Sequence, residues 1–142
     1  MRVDLAEISD RLEIEALLIR YTRAIDTGQW DRLDEVFTPD AHIDYSATGG
    51  ITAAYPEIKT WLAKMLPIFP RRMHTLGQVD ILVTGDEASA AAYFHNPMGM
   101  PQEEGPDHLV ELGGIYHHDL VRTPGGWRSR RLVEELVWKR GM

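Results

Sequence analysis

Apolar side chains recur every three or four positions through the first half of the chain, a spacing that predicts helices. The longest such segment ends at Gly28, and glycine ends helices readily because it adopts the left-handed conformation at low cost. A short strand is predicted over residues 42–46. The predicted helices cover residues 6–27, 30–37 and 56–66.

Beyond residue 70 the apolar positions alternate instead, which predicts strands. The segments Gly85-Asp86-Glu87 and Pro124-Gly125-Gly126 have the composition of tight turns, and such turns join neighbouring antiparallel strands. Helices packed on the concave face of a bent sheet would bury the apolar faces of both layers. The sequence therefore predicts one α+β domain over residues 1–142 with an internal pocket. The predicted strands cover residues 73–84, 88–96, 109–123 and 127–138.

Charge and composition exclude several classes of function. The chain has 142 residues with 15 Lys and Arg against 22 Asp and Glu, a formal charge of −7, which disfavours nucleic acid and anionic membranes as partners. The absence of cysteine excludes disulfides, thiolate nucleophiles and cysteine-bound zinc. The first residues contain no apolar segment typical of a secretory signal, so we expect a cytoplasmic protein.

Asp26 and His74 are the most distinctive polar residues. Asp26 ends a largely apolar helical segment and His74 begins a predicted strand, so both can face a cavity between the layers. A carboxylate that accepts one imidazole N–H fixes the tautomer and makes the other ring nitrogen a base. The alternatives are a solvated carboxylate at a helix end and a histidine that is simply satisfied at the rim of the core.

The histidines do not predict a metal site. No pair has the HExxH spacing, and the adjacent His117 and His118 point to opposite faces of a strand. Nothing else in the sequence calls for a cofactor, so we expect none. The six histidines are His42, His74, His95, His108, His117 and His118.

Several segments resemble the SnoaL-like branch of the nuclear-transport-factor-2-like superfamily, and they extend over nearly the whole chain. The resemblance implies a cone-shaped barrel, in which a strongly bent antiparallel sheet wraps around three N-terminal helices and encloses a pocket. The segments are Tyr21–Asp26, Gly28–Asp31, Val36–Ala41, Gly85–Ala88, Gly114–His117, Asp119–Thr123 and Gly126–Arg128.

The resemblance also implies site residues. Dehydratase and dehydrochlorinase members use an Asp at the end of the first helix and a His after the third, which match Asp26 and His74. Their dehydratase adds a second histidine and a tyrosine that holds a water, and these match His95 and Tyr45. Ile25 departs from the pattern, because the dehydratase has a tyrosine directly before its catalytic Asp.

Further residues are candidates for contacting the substrate. Tyr21, Tyr116, Trp61 and Met98 can line the pocket, with plain core packing as the alternative for each. Simple alternation along the last strand sends Arg130 and Arg131 to opposite faces of the sheet, with Arg128 on the same face as Arg130. At most one of these two faces points inward.

These observations predict a lyase or isomerase that uses an Asp–His acid/base pair in an apolar pocket. Dehydration, isomerisation and aldol-type cyclisation all suit such a site, and the substrate would be small and apolar or aromatic. The alternative is a module that binds an apolar ligand, or an accessory dimerising module, without catalysis. In either case we expect a homodimer or homotrimer formed through the outer face of the sheet, on which we expect Val133, Leu136 and Trp138.

Overall fold

The computed structural model describes residues 2–142, in which two α-helices and three short 3-10 helices precede or interrupt a seven-stranded sheet. The helices are α1 (Leu5–Thr27) and α2 (Tyr55–Met65), with 3-10 segments at Trp30–Glu35, Ser46–Thr48 and Leu66–Ile68. The strands are β1 (Phe37–Asp44), β2 (Thr52–Ala54), β3 (Arg71–Arg72), β4 (Thr75–Thr84), β5 (Glu87–Met100), β6 (His108–Thr123) and β7 (Gly126–Arg140).

Helix α1 begins and ends with side-chain and backbone caps. Asp4 accepts a hydrogen bond from the Glu7 N–H at 2.8 Å, which satisfies one of the free donors of the first turn. Gly28 follows the last turn with φ of 68°, as predicted, and its N–H bonds to the Ile25 carbonyl. The two caps fix the length of the helix and so determine where Asp26 lies.

The long strands form the predicted antiparallel meander, in the order β4–β5–β6–β7. β3 continues along the same edge of β5 beyond β4, and β1 with β2 extends the sheet beyond β7. β1 runs parallel to β7, so the sheet is mixed rather than wholly antiparallel. A hairpin would make the two strands antiparallel, but no hairpin joins β1 to β7. β1 follows the helical segment Trp30–Glu35 and lies beside the last strand of the meander.

Several element boundaries differ from the sequence-based expectation, and two of these differences have a common cause. The second helix is a 3-10 segment that ends at Glu35, because Phe37 already pairs with Ser129 of β7. β5 continues to Met100, which pairs with His108, so the connection to β6 is shorter than the gap between the predicted strands 88–96 and 109–123. In both cases strand pairing outweighs the local turn signals of the sequence.

The core lies between α1 and the inner face of the sheet, at the end where β6 and β7 are joined. Ile14, Leu17, Leu120, Trp127 and Leu132 are each at most 1% exposed there. Register shifts at Gly113/Gly114 and Asp119/Leu120 bend β6 and β7, and this bending opens the other end of the cone. Within residues 2–142, no helix is both long enough and apolar enough to cross a membrane.

Candidate active site

Asp26 and His74 form a close pair at the open end of the cone. Asp26 Oδ1 lies 2.6 Å from His74 Nδ1, and Asp26 Oδ2 accepts a hydrogen bond from the His74 backbone N–H at 2.8 Å. The two side chains are 11% and 3% exposed. Because the carboxylate holds both the ring and the backbone, it favours the tautomer with a proton on Nδ1. This leaves Nε2 as the nitrogen that can accept a proton.

Arg72 ties the end of α1 to the segment that carries His74. Its guanidinium donates to the Ile25 carbonyl at 2.9 and 3.1 Å and to the carbonyls of Leu66 and Phe69, each at 2.9 Å. A cation at the C-terminal end of a helix also interacts favourably with the helix dipole. Arg72 therefore holds the last turn of α1 close to His74, two residues farther along the chain.

Three buried tyrosines line the same cavity as His74, and one of them contacts its free ring nitrogen. His74 Nε2 lies 3.1 Å from the Tyr116 hydroxyl, and the hydroxyls of Tyr21 and Tyr45 lie 2.5 Å apart. Burial raises the pKa of all three tyrosines above the ordinary value, so each hydroxyl is a neutral donor at physiological pH. The pocket thus presents one ring nitrogen with a free lone pair together with three neutral hydroxyls.

Glu134, which the sequence analysis did not single out, lies on β7 and is 7% exposed. It stands directly opposite Tyr116 in the β6–β7 pairing, and its Oε1 is 2.6 Å from the Thr48 hydroxyl. Burial raises its pKa to about 7, against the lowering effect of the Thr48 hydrogen bond. The alternation of Leu132, Glu134 and Leu136 was the available signal, because it puts a carboxyl in an inward-facing row.

Asn96 is a second residue that the sequence analysis missed. The β3–β5 and β4–β5 pairings share one register, with Arg72 opposite Met98 and Thr75 opposite His95, and this register places His74 opposite Asn96. Asn96 is 5% exposed, and its Oδ1 has no hydrogen-bond partner within residues 2–142. Buried amide oxygens are rarely left unpaired, so Asn96 is suited to accept a hydrogen bond from a ligand.

His95, expected in the site, lies on the outer face of the sheet. Its side chain is 47% exposed, 3.5 Å from Glu111 Oε1, and its ring contacts Trp138. Neighbouring residues of a strand point to opposite faces, and the adjacent Phe94 and Asn96 take the inward positions. The expectation that His95 joins Asp26 and His74 is therefore wrong.

The cavity has a volume of about 240 Å³ and an apolar wall. His74 and Tyr45 line it, as do Tyr21, Tyr116, Trp61 and Met98, the four candidates for substrate contact. Asp26 itself lies behind His74 and faces a separate surface depression. The expectation that α1 delivers Asp26 into the cavity is thus corrected, because the carboxylate reaches the cavity only through the imidazole.

The arginines of β7 do not reach the cavity. Arg130 and Arg131 are both exposed, although simple alternation would send them to opposite faces. The cause is the register shift in the β6–β7 pairing, where Asp119 faces Arg131 and Leu120 faces Ser129, which leaves Arg130 as a bulged residue. Within residues 2–142, no group of three or more His, Asp or Glu side chains is arranged to hold a metal ion.

Known proteins share this architecture. Residues 6–133 match the family described as the SnoaL-like domain. Rv2910c, an uncharacterized protein of Mycobacterium tuberculosis, is 46% identical over 140 residues, which cover 99% of this chain and 94% of that protein. The probable cyclase FGR4 of Gibberella zeae is 28% identical over 133 residues, covering 84% of this chain and 87% of that protein. The crystal structure of hexachlorocyclohexane dehydrochlorinase LinA type 2 has a TM-score of 0.84 at 19% identity, over 99% of this chain and 93% of that chain, a likeness of fold.

Proposed function

The chain belongs to the SnoaL-like domain family, and from that membership and its buried pair we propose that it is a cofactor-independent lyase or isomerase. The observation that carries the proposal is the 2.6 Å contact of Asp26 with His74, whose other ring nitrogen faces an apolar cavity. Relatives of the chain include a protein named as a probable cyclase and one named as a dehydrochlorinase, and both names are compatible with proton abstraction from carbon.

In the proposed mechanism, His74 is the general base. Its Nε2 removes a proton from a carbon next to a carbonyl, after the substrate displaces the Tyr116 hydroxyl from its 3.1 Å contact. Asp26 keeps the imidazole in the reactive tautomer and stabilises the imidazolium that forms. The Tyr21–Tyr45 hydroxyl pair donates to the oxygen on which negative charge develops, in a wall that excludes water.

The cavity wall defines the substrate class. Tyr45 and Trp61 stack with ring centroids 5.9 Å apart, and Phe94 stacks on Tyr116 at 4.1 Å. Within residues 2–142, no lysine or arginine lines the cavity. An anionic substrate would lose its hydration without gaining a counter-ion there, so the wall favours a ring-bearing carbonyl compound without negative charge.

The test follows exchange of carbon-bound protons, because this step needs only the base. In D₂O with α-tetralone, a two-ring ketone, the wild-type protein should accelerate deuterium incorporation next to the carbonyl, as measured by proton NMR. His74→Gln should lower that rate by about 100-fold or more. His95→Gln is the matched control, because it changes a histidine of the outer face and should leave the rate unchanged.

Equal exchange rates in wild type and His74→Gln would contradict the proposed base. If α-tetralone still bound equally to both proteins under those conditions, the alternative of a non-catalytic binding module would be favoured.

The oligomeric state stays a prediction. The outer sheet face presents Tyr93 and Trp138, each 44% exposed, whereas Leu136 packs against the core rather than outward as expected. We propose a homodimer or homotrimer through this face, which sedimentation equilibrium would test, with Trp138→Glu lowering the measured mass. A monomeric mass for the wild-type protein would contradict it.

A further inference from the structure

Glu134 is a buried carboxyl to which the mechanism above gives no role. It is 7% exposed on the cavity wall, and within residues 2–142 no lysine, arginine or histidine forms an ion pair with it. A buried carboxylate without a counter-ion is costly, whereas a protonated carboxyl in the same place is not. The surroundings of Glu134 therefore favour the neutral acid.

Thr48 provides the contact that a protonated carboxyl needs. The Thr48 hydroxyl lies 2.6 Å from Glu134 Oε1 and 3.2 Å from the Tyr45 carbonyl oxygen. A hydroxyl has one proton, and a carbonyl can only accept. When Glu134 is protonated, it can donate to Thr48, which in turn donates to the carbonyl, so every group is satisfied. The geometry is thus compatible with a proton stored on the cavity side of β7.

Tyr116 lies between Glu134 and the proposed base. It stands opposite Glu134 in the β6–β7 pairing, and its hydroxyl is 3.1 Å from His74 Nε2. Acid and base are thus separated by a single phenol, on the same wall of the cavity. A substrate that reaches His74 with one carbon can present a neighbouring oxygen to Glu134.

Asn96 adds a third polar contact on this wall. Its Oδ1 has no partner and lies beside His74 by the strand register, so it can accept a hydrogen bond from a substrate hydroxyl. An acceptor here, together with the neutral acid at Glu134, favours a substrate that bears a hydroxyl group over one that bears only halogens.

We propose that Glu134 is a further catalytic residue, the acid that protonates a departing hydroxyl, and that the site therefore eliminates water from neutral β-hydroxy ketones. The inference rests on the proposed function, in which His74 is the base. A neutral acid at Glu134 distinguishes this pocket from one that expels halide, because a halide ion leaves without a proton and needs no acid.

The step balances in atoms and charge. His74 Nε2 takes the proton from the carbon next to the carbonyl, and the electrons of that C–H bond form a C=C bond. The C–O bond to the β-hydroxyl breaks with its electron pair on oxygen, which takes the proton of Glu134 and leaves as water. The imidazolium of His74 then gives a proton to Tyr116, and the Tyr116 hydroxyl proton passes to Glu134, which restores both groups.

The experiment compares three reactions of one ring system. 1-Indanone reports deuterium exchange, 3-hydroxy-1-indanone reports loss of water, and 3-chloro-1-indanone reports loss of chloride, each followed by NMR. In Glu134→Gln the rate of water loss relative to chloride loss should fall about 100-fold. Glu134→Asp should recover part of that ratio, because it keeps a carboxyl. His95→Gln should keep the wild-type ratio.

The outcomes separate the two proposals. If His74→Gln leaves exchange and both eliminations unchanged, the proposed base is wrong. If His74→Gln abolishes them while Glu134→Gln keeps the wild-type ratio, only the role of Glu134 is overturned.

A measurement without substrate tests the protonated state directly. Thermal unfolding of Glu134→Gln and wild type is compared from pH 5 to pH 8. The groups that face Glu134 are Asp44 on β1, Tyr116 on β6, Tyr21 on α1 and Tyr45 after β1, and both proteins contain them. The variant should gain stability relative to wild type as the pH rises, because only wild type must ionise a buried carboxyl. Parallel curves would overturn the proposal.

Discussion

Two histidines with buried side chains lie at the two ends of the cone, and the groups that contact their Nδ1 atoms differ in charge. At the packed end, His118 on β6 is 2% exposed, and its Nδ1 lies 2.8 Å from the hydroxyl of Ser129. At the open end, the side chain of His74 is 3% exposed, and its Nδ1 lies 2.6 Å from the carboxylate of Asp26. One imidazole has a neutral partner and the other a charged partner.

The difference predicts that burial alone does not make an imidazole a base. Burial lowers the pKa of His118 to about 3, because its imidazolium would lack both water and a counter-ion. His118 Nε2 also has no partner among residues 2–142, so this ring is a packing element of the core. At the open end the carboxylate of Asp26 compensates the charge that His74 acquires when it accepts a proton.

Removing the Asp26 carboxylate should leave His74 with a neutral partner, as His118 has. We expect this change to cause the largest loss of exchange rate. Asp26→Asn keeps the size of the side chain but removes its charge, and its amide can hold the ring in the wrong tautomer. The rate of deuterium exchange into α-tetralone should fall about 1,000-fold. Asp40→Asn, at an exposed position of β1, is the control and should keep the rate. A loss of less than threefold in Asp26→Asn would contradict the pairing as the source of basicity.

The hydroxyl pair at the open end should contribute the next largest effect. Tyr45→Phe removes one donor from the oxygen on which charge develops, and the exchange rate should fall about 100-fold. Tyr55→Phe is a matched control, since Tyr55 is 5% exposed and bonds to Asp34 at 2.6 Å, away from the cavity. It should lower the free energy of unfolding while the exchange rate stays within twofold. Equal rate losses in both variants would mean that Tyr45 acts through packing alone.

The helices and the meander were predictable because each rests on many residues. The buried apolar spacing of α1 recurs from Ile14 to Ile25, and the turns at Gly85 and Pro124 have a composition that few other structures use. Asp26 and His74 were predictable for another reason, since the resemblance to the SnoaL-like family supplied their pairing. Periodicity alone left both with a plain structural alternative.

Glu134, Asn96 and His95 were not predictable to the same degree, because their side of the sheet depends on register. A shift of one residue moves a side chain to the other face, so the position of the β5 register decides between His95 and Asn96. On β7 the bulge at Arg130 inverts the alternation and turns Glu134 inward. Bulges depend on pairing with a neighbouring strand, which a single strand's sequence does not specify.

At the packed end, His118 should affect the free energy of unfolding rather than the exchange rate. The unfolded chain protonates His118 below about pH 6.5, whereas the fold excludes that proton until about pH 3. The contribution to stability is therefore complete above pH 6.5 and is lost as the pH falls below it. His118→Gln has no such proton, so its disadvantage relative to wild type in urea unfolding should shrink by roughly 2 kcal/mol between pH 7 and pH 5. A constant difference would mean that the folded and unfolded chains protonate His118 at the same pH.

We expect the smallest effect from a substitution of His95. This substitution tests the register of β5, which decides whether His95 or Asn96 faces the cavity. His95→Gln should change the exchange rate by less than about twofold and the free energy of unfolding by less than about 0.5 kcal/mol, because the side chain is half exposed. Glu111 keeps a partner in this variant, since Arg140 Nε lies 2.6 Å from its Oε2. Asn96→Ala, one residue along β5, should weaken substrate binding instead. If the two variants showed the reverse order, β5 would pair one residue out of register in solution, and the wall opposite His74 would carry an imidazole in place of the amide.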